Sequence, residues 1–312
     1  MSRIHEALKK AQQDRALLPT PEQETSPASE DTRVVAQAPV ATDVLPRSVP
    51  VASPQRTASQ PLTFESLSER CSTAQWKLDP KKLLAFGSAS HVPGTEEMRT
   101  LRSKLYQLAE TRPMKTLLVA SALPNEGKTF VAANLAQVIA RQHQRRVLLV
   151  DSDLRWSRLH MSFGCPLSPG LTEYLRGTAD EYDVVQKGST ENLFLIPGGT
   201  PADNSSELIS NGRMKSMLER LAPLFDWIIL DSPPTIPVSD ARLLAAFCDG
   251  VVMVVRAGYT PYNLSLKACQ EFDANQIVGI VLNGVHGNLG SMAYQYYGGD
   301  QTAKRNGKSL KI

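Results

Sequence analysis

Ser121-Ala122-Leu123-Pro124-Asn125-Glu126-Gly127-Lys128-Thr129 decides how the rest of the chain is read. The run before it, Lys115-Thr116-Leu117-Leu118-Val119-Ala120, is apolar and reads as a buried strand. Behind it Val131, Leu135, Val138 and Ile139 recur with the period of a helix. A tight loop ending in Gly-Lys-Thr between a strand and a helix is the context of a phosphate-binding loop. The backbone N–H groups of the loop and of the first helical turn lack intrahelical acceptors, so they point at an anion. Lys128 adds a mobile positive charge for the β- and γ-phosphates, and the Thr129 hydroxyl offers an oxygen to Mg²⁺. Ala122 stands where the pattern G-x-x-x-x-G-K-[ST] has its first glycine. The strand–loop–helix context, which a chance Gly-Lys-Thr would lack, carries the assignment.

Further apolar strands follow. Arg146-Val147-Leu148-Leu149-Val150 ends in Asp151-Ser152-Asp153-Leu154-Arg155. Gly170-Leu171-Thr172 opens a short helix, and Leu193-Phe194-Leu195-Ile196 is a strand closed by Pro-Gly-Gly. Trp227-Ile228-Ile229-Leu230 ends in Asp231-Ser232-Pro233-Pro234. Residues 205–221, 239–247 and 261–272 read as helices, 250–255 and 277–285 as strands, with Asn283 near the end of the last. Strands alternating with helices predict an α/β fold, a doubly wound and mostly parallel sheet. In such a sheet ligands gather at the carboxyl ends of the strands, which sets Asp151, Asp153 and Asp231 beside the phosphate loop. Thr129, Asp153 and Asp231 are the expected oxygen donors to Mg²⁺. Asp151-x-Asp153 also fits a loop-capping pair, and a carboxylate there can orient water or accept a hydroxyl proton.

Upstream, residues 2–18 read as a short basic amphipathic helix with Ile4, Ala7, Leu8 and Ala11 on one face, a docking peptide or a frayed terminus. Residues 19–78 are rich in proline, serine, threonine and glutamine and read as a disordered linker, with a brief ordered patch at 63–68 as an option. The globular part is expected over 79–290. Within it residues 94–109 form a helix with Met98, Leu101, Leu105 and Leu108 on its apolar side. Its other face carries Glu96, Arg99 and Arg102, by themselves a solvated charged strip. Residues 291–312 are a flexible tail holding Tyr294, Tyr296 and Tyr297, three of the chain's eight tyrosines, before a basic end.

The net charge of +3 over 312 residues is too small to imply nucleic acid. Cys71, Cys165, Cys248 and Cys269 form no C-x-x-C pair and read as reduced buried thiols. No apolar run reaches the ~18 residues of a membrane span, and the first residues lack a secretory apolar core. A cytoplasmic location is expected, with any membrane contact made through a partner or surface helix.

These residues resemble the bacterial tyrosine kinases of exopolysaccharide export, over about residues 79–297. Pro124-Asn125-Glu126-Gly127-Lys128-Thr129 is similar to the family's Walker A loop, Asp151-Ser152-Asp153-Leu154-Arg155 to its A′ motif, and Ile229-Leu230-Asp231-Ser232-Pro233-Pro234 to its Walker B motif. The opening Met-Ser…Ile-x-x-Ala-Leu helix and linker resemble the cytoplasmic autokinases of exosortase or chain-length loci. The resemblance implies a P-loop NTPase fold of the deviant-Walker, MinD-like kind. It implies ATP and Mg²⁺ as cofactors, and Lys128, Asp151, Asp153 and Asp231 as catalytic groups. Which of Asp151 and Asp153 is the base stays open. Residues Pro124, Asn125, Glu126, Gly127, Lys128, Thr129, Phe130 and Asn283 are the expected nucleotide contacts. Glu96-x-x-Arg99-x-x-Arg102 becomes a contact with the neighbouring subunit of a ring, and Tyr294, Tyr296 and Tyr297 become sites phosphorylated in trans.

The same resemblance implies a separate membrane adaptor of the chain-length determinant type, and so a peripheral place at the inner membrane. Ser157 departs from the family, where many members have proline. The competing expectation is a positioning ATPase of the ParA/MinD type without kinase activity. That group carries a lysine early in its phosphate loop, where this chain has Leu123.

Overall fold

The computed structural model describes residues 62–84, 94–188 and 190–285. Chain order runs α1 (Phe64–Arg70), β1 (Ser72–Thr73), α2 (Thr95–Thr111), β2 (Thr116–Ser121), α3 (Lys128–Ala140) and β3 (Val147–Asp151). It continues α4 (Leu159–Phe163), α5 (Leu171–Arg176), α6 (Glu181–Val184), β4 (Gln186–Lys187), β5 (Leu193–Ile196), α7 (Ser205–Ser210) and α8 (Arg213–Leu221). It closes with β6 (Trp227–Asp231), α9 (Asp240–Ala245), β7 (Gly250–Arg256), α10 (Tyr262–Gln270) and β8 (Ile277–Asn283).

The strands form one sheet in the order β1-β4-β5-β3-β6-β2-β7-β8. All described pairings are parallel except β4 with β5. Every residue of β2, β3, β5 and β6 is buried, because helices cover both faces. On one face α2, α3 and α4 pack their Leu105, Leu135, Ile139 and Phe163. The other face takes α1 and α5 to α10 through Leu67, Leu171, Met217 and Leu244. The register sets Asp151 directly beside Asp231 at the carboxyl ends of β3 and β6, next to β2.

The folded part reaches back past the expected boundary at residue 79. Thr63 caps α1 by accepting the Ser66 N–H at 3.2 Å, while the Thr63 N–H donates to the Ser66 hydroxyl at 3.1 Å. Leu67 is fully buried, and the Phe64 ring meets Phe194 at 5.5 Å and Phe225 at 6.0 Å. The Arg146 guanidinium lies 3.6 Å from the Phe64 ring centre. Trp76 packs edge-on against Phe163 at 5.1 Å, and a Cβ on Gly188 would meet its ring at 2.0 Å. Residues 62–78 are therefore an integral part of the core rather than linker. Leu67→Ala leaves a cavity there and is expected to remove about 2–5 kcal/mol of stability, read from the denaturant midpoint.

Two further expectations shift, and two strands go unannounced. The helix expected over 205–221 divides into α7 and α8, because Gly212 takes φ +83° and turns the chain. Leu108 is 40% exposed instead of buried on the apolar side of α2. Strands β1 and β4 have two residues each, too few for a periodic signal. Burial raises the thiol pKa of all four cysteines, and all four are free, as the sequence suggested. Among the described residues no helix is long and apolar enough to cross a membrane.

Candidate active site

The phosphate loop is held open from behind. Asn125 and Gly127 adopt φ of +64° and +95°, which turns the backbone around the space where phosphates would lie. Glu126 is buried, and one oxygen accepts the Leu123 N–H at 2.6 Å while the Thr260 hydroxyl binds the other. Asn283 donates to the Glu126 carbonyl at 2.9 Å, and Arg256 donates to the Asn125 carbonyl at 3.1 Å. A Cβ at Gly127 would stand 2.0 Å from Asn283 Nδ2, so only glycine fits. Gly127→Ala is expected to weaken nucleotide affinity at least tenfold, as isothermal titration with Mg-ADP would read, because strain and clash both open the loop. Ala122 is buried without a positive φ, which explains why the missing glycine is tolerated.

The three acids do different work. Asp151 is fully buried, and its Oδ2 accepts from the Ser157 hydroxyl at 2.6 Å and from the N–H groups of Leu159 and Arg158 at 2.9 and 3.0 Å. Its Oδ1 accepts the Asp153 N–H at 3.3 Å. Asp153 faces the loop, with Oδ2 3.8 Å from Lys128 Nζ and Oδ1 accepting the Trp156 N–H at 3.0 Å. The Thr129 hydroxyl lies near enough to Asp231 to favour its ionised form, and Asp231 Oδ1 is buried with no hydrogen-bond partner among the described residues. Arg155 turns away and pairs with buried Asp240 at 3.1 Å, which also holds the Ser205 and Ser206 hydroxyls.

A cavity of about 510 Å³ opens here. Pro124, Asn125, Gly127, Lys128 and Thr129 line one wall, and Asp153, Trp156, Arg158 and Pro234 the other. A slightly larger cavity, about 560 Å³, lies at the amino ends of the strands, where Lys115, Arg146, Asn192 and Asp226 immediately precede β2, β3, β5 and β6. It has no phosphate loop.

Tyrosine-protein kinase YwqD of Bacillus subtilis is 34% identical over 206 residues, which is 65% of this chain and 86% of the relative. The chain belongs to the bacterial tyrosine-protein kinase family. Tyrosine-protein kinase wzc of Salmonella typhimurium is 31% identical over 219 residues, and the chain spans only 30% of that relative's length. The solved kinase domain of the Escherichia coli tyrosine kinase ETK matches with a TM-score of 0.60 at 26% identity, over 82% of this chain and 99% of that one. A family described as an AAA domain matches residues 114–266.

In this kinase Lys128, Thr129 and Asp153 meet at one cavity as the sequence suggested, with Asp231 behind them. Glu126, Phe130 and Asn283 were expected to touch nucleotide, yet none lines the cavity. Glu126 and Asn283 brace the loop, and Phe130, in the first turn of α3, packs against the core. On α2, Glu96 pairs with Arg99 in solvent. Arg102 turns inward and donates to the Val138 carbonyl at 3.0 Å, so the strip is not all on the surface. Tyr294, Tyr296 and Tyr297 lie outside the described residues. The roles of Ser157 and Thr260, which stand in loops, of Arg256 at the end of β7 and of Asp240 at the start of α9 were missed, since no common spacing links them.

Desolvation pushes the Asp151 carboxyl up to about 6 and Asp231 up to about 7, from 3.8; for Asp231 the Lys128 charge opposes the shift. An acid raised by folding keeps its proton in the native state after the unfolded chain has lost it. The two groups therefore contribute stability that is greatest below about pH 4 and is lost as pH rises through about 7. Without metal or nucleotide, the melting-temperature difference between the wild-type kinase and Asp231→Asn should shift against the wild type across that window.

Proposed function

We propose that this kinase transfers the γ-phosphoryl group of ATP to Tyr294, Tyr296 and Tyr297 of a neighbouring copy. The observation that carries the reading is Lys128 facing Asp153 across a cavity floored by the phosphate loop, with the unpartnered oxygen of Asp231 behind. In the reaction the tyrosine oxygen bonds to the γ-phosphorus as the bond to the ADP oxygen breaks, and the phenolic proton passes to a carboxylate. Asp153 suits that role better than Asp151. Asp151 does not line the cavity, and its oxygens are occupied by the loop it organises. Lys128 neutralises charge that develops on the phosphoryl oxygens.

Thr129, Asp153 and Asp231 form an all-oxygen donor set, and the orphaned Asp231 Oδ1 fits a hard cation. Mg²⁺ bound there would neutralise phosphate charge. The loop braces and Lys128 orient the nucleotide.

The finer reading includes a ring of copies joined in part through the exposed Glu96 and Arg99. It includes a separate membrane adaptor that keeps a cytoplasmic kinase at the inner membrane, contacted through residues 1–18. The output is control of exopolysaccharide polymerisation and export. Phosphotyrosine carries about −1.5 to −2 charges, so a modified cluster would repel neighbouring tails and loosen the ring.

The test mixes a Lys128→Met acceptor with a donor truncated after Val285, adds ATP and Mg²⁺, and probes for phosphotyrosine. Label on the acceptor is expected. ATP hydrolysis with no phosphotyrosine on any chain would favour a positioning ATPase instead.

A further inference from the structure

Trp156 is 74% exposed, whereas the chain's other tryptophans, Trp76 and Trp227, are 6% and 4% exposed. An indole left in water forfeits a large apolar burial, so its place on the molecule calls for a reason. It lines the cavity wall opposite the phosphate loop, with Pro234 beside it. Its backbone is fixed, because the Trp156 N–H donates to Asp153 Oδ1 at 3.0 Å while the other oxygen of Asp153 faces Lys128. The indole thus springs from the same short loop as the carboxylate suited to take the phenolic proton.

We propose that Trp156 is the platform on which the ring of the acceptor tyrosine, from the tail of a second copy, stacks before phosphoryl transfer. This rests on the kinase reading above. A phenol whose oxygen reaches the γ-phosphate must lay its ring back toward the cavity rim, where the indole stands. Aromatic pairs gain about two- to tenfold in affinity beyond their burial, which is enough to select tyrosine over an aliphatic residue. The alternative occupant is the nucleotide base. The position of Lys128 opposes it: its Nζ lies 3.8 Å from Asp153 Oδ2, on the loop that follows β3 and carries Trp156. Lys128 reaches toward the β3 side, so the terminal phosphate belongs near Trp156 and the base points away from it.

Because the other two tryptophans are buried, acrylamide quenching of tryptophan emission reports mainly on Trp156. The probe is a synthetic peptide of residues 288–300 added to the full chain saturated with Mg-ADP. The peptide should shield the indole and reduce quenching at least twofold, and a version with its three tyrosines changed to alanine should not. Trp156→Ala should raise the peptide KM about tenfold with little change in kcat, and Trp156→Phe should restore most of it. Equal shielding by Mg-ADP alone assigns the indole to the base and overturns the proposal. So does peptide phosphorylation with no shielding, an outcome that leaves the kinase reading standing. Shielding without any phosphotyrosine would keep the platform and sink the kinase reading.

Discussion

Lys128→Met lowers phosphotyrosine formation about 10²–10³-fold, the usual loss when one preorganised charge is removed from a transition state. Lys128 is mostly buried at 13% side-chain exposure, so its charge acts with little screening by water. It also opposes the desolvation that raises the Asp231 pKa. Without it, Asp231 holds its proton more firmly and becomes a poorer oxygen donor to a cation. The variant should therefore lose rate, and its nucleotide affinity should depend more steeply on pH below neutrality than that of the wild type. Stability should fall as well at pH values where the acids are ionised, because the buried carboxylates of Asp153 and Asp231 lose the positive charge that compensates them. Single-turnover transfer from labelled ATP, paired with a melting curve, separates these effects. Near-wild-type transfer would sink the assignment.

Asp151→Ala gives the second large effect, and of a different kind. The substitution orphans the N–H groups of Arg158 and Leu159 and the Ser157 hydroxyl at once. Each buried group left unpaired costs about 1–3 kcal/mol, so a loss of about 3–5 kcal/mol is expected after partial relaxation. The loop from Asp153 to Arg158 loses its anchor, and transfer falls with it. Asp153→Ala should instead abolish transfer while changing stability by less than about 1 kcal/mol, since the groups facing it are partly open to solvent. Denaturant titration and transfer assays on the two variants decide between the carboxylates. If Asp153→Ala were the destabilised protein and Asp151→Ala the stable, dead one, their roles would be exchanged.

The central sheet was readable because its strands are apolar on both faces, and such runs bounded by acids or glycines leave few alternatives. The site followed, since the carboxyl ends of neighbouring parallel strands must lie together. Helix α1 was hidden because Phe64, Leu67 and Trp76 are isolated among polar residues, and their burial depends on surfaces far away in sequence. Arg102 was misjudged for a geometric reason. Each three-residue step on a helix turns back by about 60°, so two steps carry Arg102 about 120° from Glu96 and into the groove against α3. Glu126 is expected among the nucleotide contacts because it stands in the loop, and that expectation specifies no role for its carboxylate. The carboxylate satisfies the loop's own N–H at Leu123 and ties the loop to Thr260, a role that no spacing in the sequence announces.

Helix α1 has a consequence for how the molecule is leashed. Phe64 sits against Arg146, Asn192 and Phe225, at the end of the sheet where strands begin, while catalysis belongs to the end where they finish. Anything joined ahead of Leu62 pulls on the floor of the domain and leaves its mouth clear. The leash can be lengthened or replaced without crowding the cavity floored by the phosphate loop.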